Sequence, residues 1–223
     1  MILCLETATK NCSVSLLSEG RVVCQRSEHA DKFVHGERLH LFIQECLDEV
    51  RLRLDSLDSV CVGKGPGSYT GLRIGVSAAK GICYALGKPL FSVPTLGCFN
   101  FEKYHEDFLL SVIDARRDEV YAQMWVREGL NFKAYGDTQA VVVHKDSWSE
   151  WKSQKVRVIG DAAEKVGVLH KNTSWVYNLN EFPSAHHMTR FIKAREMARE
   201  DVAYFEPFYL KDFVALKSTK KLL

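Results

Sequence analysis

The residues best able to do chemistry in this chain lie in one run, Gly63-Lys64-Gly65-Pro66-Gly67-Ser68-Tyr69-Thr70-Gly71-Leu72-Arg73-Ile74-Gly75. Glycine reaches positive φ without steric cost and lets backbone come close to another group, and Pro66-Gly67 is a turn pair. Gly65, Pro66, Gly67, Ser68, Thr70 and Gly71 form a candidate structural loop, with Ser68 or Thr70 placed to cap a following helix. A loop of this kind at a helix start suits a bound anion, and it suits a tight packing corner equally well. A P-loop would close on Gly-Lys-Ser/Thr, which does not occur here. The dinucleotide fingerprint Gly-x-Gly-x-x-Gly finds Gly65 and Gly67 but then meets Thr70. Histidines offer no metal pair: His35 and His40 would point roughly 140° apart on a helix, and His186 and His187 are adjacent. Spacing alone assigns no Ser/His/Asp or Cys/His set, since such sets are assembled in space.

The elements that position this run are legible around it. Ser59-Val60-Cys61-Val62 precedes it and an apolar segment follows to Leu86, so the order is strand, loop, helix. On a helical wheel Leu72, Val76, Ala79, Ile82, Cys83 and Leu86 share one face, the ordinary core stripe. The opposite side holds Ile74, Ser77, Ala78, Gly81 and Ala85, interrupted only by Arg73, Lys80 and Tyr84. A helix apolar nearly all round is buried on two sides, by a second layer of its own chain or by another subunit. Upstream, Ile2–Leu5, Cys12–Leu17 and Arg21–Arg26 read as a three-stranded meander, and His35–Val50 as an amphipathic helix. Adding strands at Leu57–Val62 and Leu90–Val93 gives the order β-β-β-α-β-α-β, a mixed sheet covered by helices. A related pattern starts again near Phe108, with strands Leu109–Asp114 and Glu119–Val126. The spacing then predicts a helix over Lys145–Lys152, a strand Val156–Ile159, a short helix from Ala162 and a longer one over Ser184–Arg199. Two halves, 1–100 and 101–223, meet in a boundary stretch around residues 94–107, and the second is the poorer in strong strands.

Composition is that of an ordinary soluble globular protein, 46% hydrophobic and 26% charged with a formal charge of +2. Residues 1–100 carry 11 basic and 10 acidic side chains, so no strongly basic domain announces nucleic-acid binding. A local patch remains open to RNA, and the tail with Lys211, Lys217, Lys220 and Lys221 is the place to expect one. The seven cysteines are odd in number and lack Cys-x-x-Cys spacing, which favours a reducing compartment over disulfides or zinc. Neither a signal-peptide pattern nor a bilayer-spanning run is visible, so the expected location is the cytoplasm, away from any membrane.

The β-β-β-α-β-α-β order repeated twice resembles the sugar-kinase/actin-like superfamily, an α/β duplicated fold whose second half is here reduced. Within it the chain resembles the TsaB (YeaZ) family. The matching residues are Leu5-Glu6-Thr7-Ala8, Gly65 through Gly75, Lys88-Pro89-Leu90, Val93-Pro94-Thr95-Leu96, Asp114 through Tyr121, Ile159-Gly160-Asp161 and Pro207-Phe208-Tyr209-Leu210-Lys211. The resemblance implies a non-catalytic scaffold needed for threonylcarbamoylation of the adenosine beside the tRNA anticodon. Its implied partners are a TsaD-type transferase, a TsaE-type ATPase, a second copy of itself when alone, and tRNA indirectly or weakly. It also implies docking through the helices of the first lobe, at Ile74, Ser77, Ala78, Gly81, Ala85, Leu41 and Phe42. Superfamily members that use ATP carry a phosphate loop in each half. The corresponding turns here offer only Thr7 and Thr9 with Glu6, and Asp114, without paired glycines. No tightly bound cofactor or metal is therefore implied, with weak or shared ATP or ADP at a subunit junction left open. The alternative is a free-standing ATP-dependent or metallopeptidase-like enzyme of the same fold.

Overall fold

A computed structural model describes residues 1–31, 34–171 and 174–211. Strands β1 (Ile2–Glu6), β2 (Asn11–Ser18) and β3 (Arg21–His29) form the meander, antiparallel in sequence order. Helix α1 (His35–Glu49), β4 (Ser59–Gly63), α2 (Tyr69–Leu86) and β5 (Leu90–Val93) follow, with β4 parallel to both β1 and β5. The second half repeats this arrangement. Strands β6 (Phe108–Asp114), β7 (Glu119–Glu128) and β8 (Asn131–Val142) make a meander, and β9 (Val156–Ile159), α3 (Ala163–His170) and β10 (Val176–Asn178) continue it in parallel. The spatial orders β5-β4-β1-β2-β3 and β10-β9-β6-β7-β8 are the same pattern twice. The duplicated α/β fold is thus present, and its second copy is reduced in a specific way. The connection from β8 to β9 is turns with a single 3-10 turn at Ser149–Trp151, and the helix after β9 has 8 residues where α2 has 18.

Period-two burial explains how the first sheet sits between layers. Leu3 and Leu5 face α1 and α2, meeting Leu39, Ile43, Val76 and Ala79. Cys4 faces the other way, toward Ala185, Met188 and Phe191. Those last three come from late in the chain, and they bring a correction. The helix expected over Ser184–Arg199 is a 3-10 turn Ala185–Met188 and a short helix α4 (Thr189–Ala194), ended by Arg195 at φ 58°. The chain then forms β11 (Ala198–Glu200), which pairs antiparallel with β5 and completes a six-stranded first sheet. The helix expected over Lys145–Lys152 is likewise not formed: Trp148 takes φ 52°, and only Ser149–Trp151 winds, as the 3-10 turn. The 12-residue strand β8 has no counterpart in the sequence reading.

Arg190 of α4 joins the lobes. Its guanidinium lies 4.7 Å from the Phe101 ring centroid and 4.8 Å from that of Trp125, and it donates to Phe132 O at 2.6 Å. Burial in this aromatic setting lowers its pKa from the ordinary arginine value.

Candidate functional site

The glycine corner is spent on the turn after β1. Ser68 N–H donates to Ala8 O (2.7 Å), and Thr7 Oγ1 donates to Gly71 O (2.8 Å). A Cβ on Gly67 would stand 2.4 Å from Ala8 O, one on Gly71 2.1 Å from Thr7 O, and one on Gly75 2.2 Å from Thr7 Oγ1. Ser68 caps α2 by accepting Gly71 N–H at 3.3 Å, while Thr70 is exposed. Gly65 takes φ 104°, its peptide to Pro66 is cis, and its N–H donates to Thr95 Oγ1 at 3.1 Å. Thr95 Oγ1 donates in turn to Glu6 Oε2 (3.1 Å), and Ala8 N–H donates to Glu6 Oε1 (2.8 Å). Glu6 is fully buried, and that burial raises its pKa from 4.5 to about 7, with the Ala8 and Thr95 hydrogen bonds pulling back. Of the residues named as remnant phosphate turns, Thr7 and Thr9 are buried under this corner. Asp114 is exposed across the cleft, paired with Lys165 and accepting Arg116 N–H at 2.9 Å.

Between the lobes lies a cleft of about 950 Å³. The first-lobe wall brings Thr9, Lys10 and Ser68, the second-lobe wall Asp114 through Glu119, and the segment Phe208–Lys211 closes one side. Asp161 accepts Asp114 N–H at 2.9 Å, and burial raises its carboxyl to about 6. Lys211 pairs with Glu119, whereas Lys217, Lys220 and Lys221 lie outside the described residues. Among the described residues no three His, Cys, Asp or Glu side chains gather as a metal site would require, and no helix is long and apolar enough to cross a membrane.

The second face of α2 is only partly free. Ser77, Gly81, Tyr84 and Ala85 are exposed, as is Leu41 on α1. Ile74 and Ala78 are half-buried and pack on the chain's own core. Phe42 is corrected outright: at 7% exposure it belongs to that core and presents no docking surface. Lys80 does not break the strip either, because its ammonium is tied to Ala203 O (3.1 Å) and Phe205 O (2.8 Å). That strap, with the Tyr209 ring tilted against Tyr69 at 5.2 Å between centroids, was missed from the sequence, although Pro207 through Lys211 signalled a distinct closing element.

Gly81 differs from the corner glycines. A Cβ built there meets nothing within 4 Å. A helix-interior glycine is about 0.8–1 kcal/mol worse than alanine, and nothing among the described residues requires it. Gly81→Ala is expected to raise the Tm of the isolated chain by about 2–3 °C, checked by calorimetry. An unchanged or lower Tm would show that Gly81 is already packed.

Comparison with known proteins bears on this arrangement. A family model described as TsaD, tRNA N6-adenosine threonylcarbamoyltransferase, matches residues 30–149. The "tRNA threonylcarbamoyladenosine biosynthesis protein TsaB" of Escherichia coli is 29% identical, over 97% of this chain and 96% of that protein. The protein of the same name from Haemophilus influenzae is 35% identical over 57% of this chain, and the match spans 54% of that relative. The chain belongs to the TsaB family. The solved structure of YeaZ from Pseudomonas aeruginosa superposes with a TM-score of 0.80 at 26% identity, covering 94% of this chain and 99% of that one. Both TsaB lobes, including the reduced second half, are therefore shared with a solved relative.

Proposed function

We propose that this TsaB-family chain is a non-catalytic subunit of a cytoplasmic assembly that makes threonylcarbamoyladenosine in tRNA. It holds a TsaD-type transferase against the exposed strip of α2, at Ser77, Gly81 and Ala85, with Leu41 of α1 alongside. The observation that carries this reading is Gly81: a glycine that packing among the described residues does not need, in a strip those residues leave open, where a partner helix could approach closely. The non-catalytic part is supported by the glycine corner. Its glycines are spent on close packing against Thr7 and Ala8, and the Gly65, Ser68 and Gly71 amides are taken by Thr95, Ala8 and Ser68. A TsaE-type ATPase completes the assembly, and a second copy of the chain covers the same strip when the transferase is absent.

Ala85→Glu and Gly81→Arg test this directly, since both positions are exposed and neither change disturbs the core. An unpaired charge at a desolvated contact costs about 2–5 kcal/mol, so affinity for the transferase subunit should fall about 100-fold. Titration calorimetry with both proteins reads this, with circular dichroism confirming the fold. Wild-type affinity in both variants would remove the docking assignment.

A further inference from the structure

We infer that the inter-lobe cleft is a binding site for RNA backbone phosphates, built on Lys10, Arg116 and Arg117. Lys10 comes from the first lobe and the arginines from the second, and all three line the same cleft. Each is exposed, and among the described residues none of the three side chains makes a hydrogen bond or ion pair. Two acidic side chains nearby are matched, Glu119 by Lys211 and Asp114 by Lys165, while Asp161 accepts the Asp114 amide. Among the described residues, Asp118 and Asp161 are the acidic side chains of the cleft wall without an ion pair. Three cations without an ion pair thus face two carboxylates without one, and Lys10 is close enough to act on the Asp161 carboxyl across the gap.

The backbone beneath the arginines adds an independent observation. Arg116 and Arg117 take φ 70° and 50° in succession, a region where glycine or asparagine is at ease and arginine is not. Strain of this kind persists where the side chain has a use. RNA fits better than a nucleoside polyphosphate. The Gly65, Ser68 and Gly71 amides of the corner are used internally, Asp114 is held by Lys165, and Asp161 accepts a backbone amide, so few groups stand ready for a polyphosphate and its metal. Flexible cations along an open groove suit a phosphodiester chain instead, and the stacked His29–Phe182 pair (centroids 3.8 Å apart) gives a base an aromatic surface on the cleft wall. The choice of tRNA as the RNA rests on the function proposed above.

The test is fluorescence anisotropy of a labelled tRNA anticodon stem-loop with the full chain, across a salt series. The variant is Arg116→Asn with Arg117→Asn, which removes both charges while placing a residue tolerant of positive φ at each position. Wild type should bind with a steep salt dependence. The double variant should bind about tenfold more weakly, with a log–log salt slope shallower by about two. Capture of the transferase subunit is measured in parallel and should be unchanged in this variant. Ala85→Glu should lose that capture and keep RNA binding, so the two assignments fail separately. Absence of wild-type binding, equal affinity in the double variant, or displacement of the RNA by magnesium-ATP would each overturn the inference.

Discussion

Gly71→Ala is expected to lower the Tm by about 8 °C, and Gly75→Ala by a similar amount. The new Cβ of Gly71→Ala would lie 2.1 Å from Thr7 O, a backbone atom that cannot rotate away. That of Gly75→Ala would lie 2.2 Å from Thr7 Oγ1, whose hydroxyl is held by Gly71 O in a fully buried site. Relief requires α2 to lift from the turn after β1, breaking the contacts that seat the corner. Overpacking costs about 1–3 kcal/mol and occasionally more, while the gain in helix propensity returns about 1 kcal/mol at most. Contacts this close with backbone belong at or above the top of that range, about 3–4 kcal/mol, so the net loss is about 2–3 kcal/mol, and each kcal/mol lowers Tm by about 2–4 °C in a chain of this size. Calorimetry of Gly71→Ala beside Gly81→Ala gives the decisive contrast, opposite shifts from the same substitution in one helix. Wild-type melting of Gly71→Ala would mean that the corner is not a packing device.

Glu6→Gln is expected to remove a pH-dependent loss of stability between about pH 4.5 and pH 7. The folded chain holds the Glu6 proton to about pH 7, whereas the unfolded chain releases it near 4.5. The folded state therefore binds more protons in that window, and stability falls as pH rises through it. A shift of this size amounts to about 3 kcal/mol, fully present below the window and gone above it. Glutamine can keep both hydrogen bonds, accepting from Ala8 N–H and donating to Thr95 Oγ1, without ever ionising. His187 works in the opposite sense: burial holds it down to about 3, so its contribution is lost as pH falls below the ordinary histidine value of 6.5. The whole-protein profile mixes such groups, and the difference between wild type and Glu6→Gln isolates one. Urea unfolding at a series of pH values should show the variant gaining on wild type by about 3 kcal/mol from acid to neutral. Parallel profiles would show that Glu6 does not titrate in this window.

Local signals account for what the sequence revealed of the fold. Strands β5 and β9 are short apolar runs beside prolines or polar residues, and they form as expected from Leu90 to Val93 and from Val156 to Ile159. Strand β8 escaped because it lies on a sheet edge with Phe132 as its one buried side chain, leaving no period to detect. Trp148 and Trp151 are spaced like helix neighbours, and nothing local shows that Trp148 takes positive φ. Ala185, Met188 and Phe191 stand three apart and are buried together, but β11 exists through pairing with β5, more than a hundred residues earlier. The same limit applies to the sites. The glycine run was visible at once, but its meaning depends on Thr7 and Ala8 lying against it. Arg116 and Arg117 read as an ordinary polar turn until the fold set them opposite Lys10.

Strand β11 has a consequence for how this molecule comes into being. A nascent chain of 100 residues already holds every helix and strand of the amino-terminal meander unit, yet the flank of β5 stays unpaired and the Cys4 side of the sheet stays largely bare. Among the described residues, β11 is what pairs with that flank, and Ala185, Met188 and Phe191 join Cys98 in covering the Cys4 side. The first lobe thus matures after the second as well as before it, and a ribosome that has already made the second meander still carries a half-clad first sheet until residues 185–200 emerge.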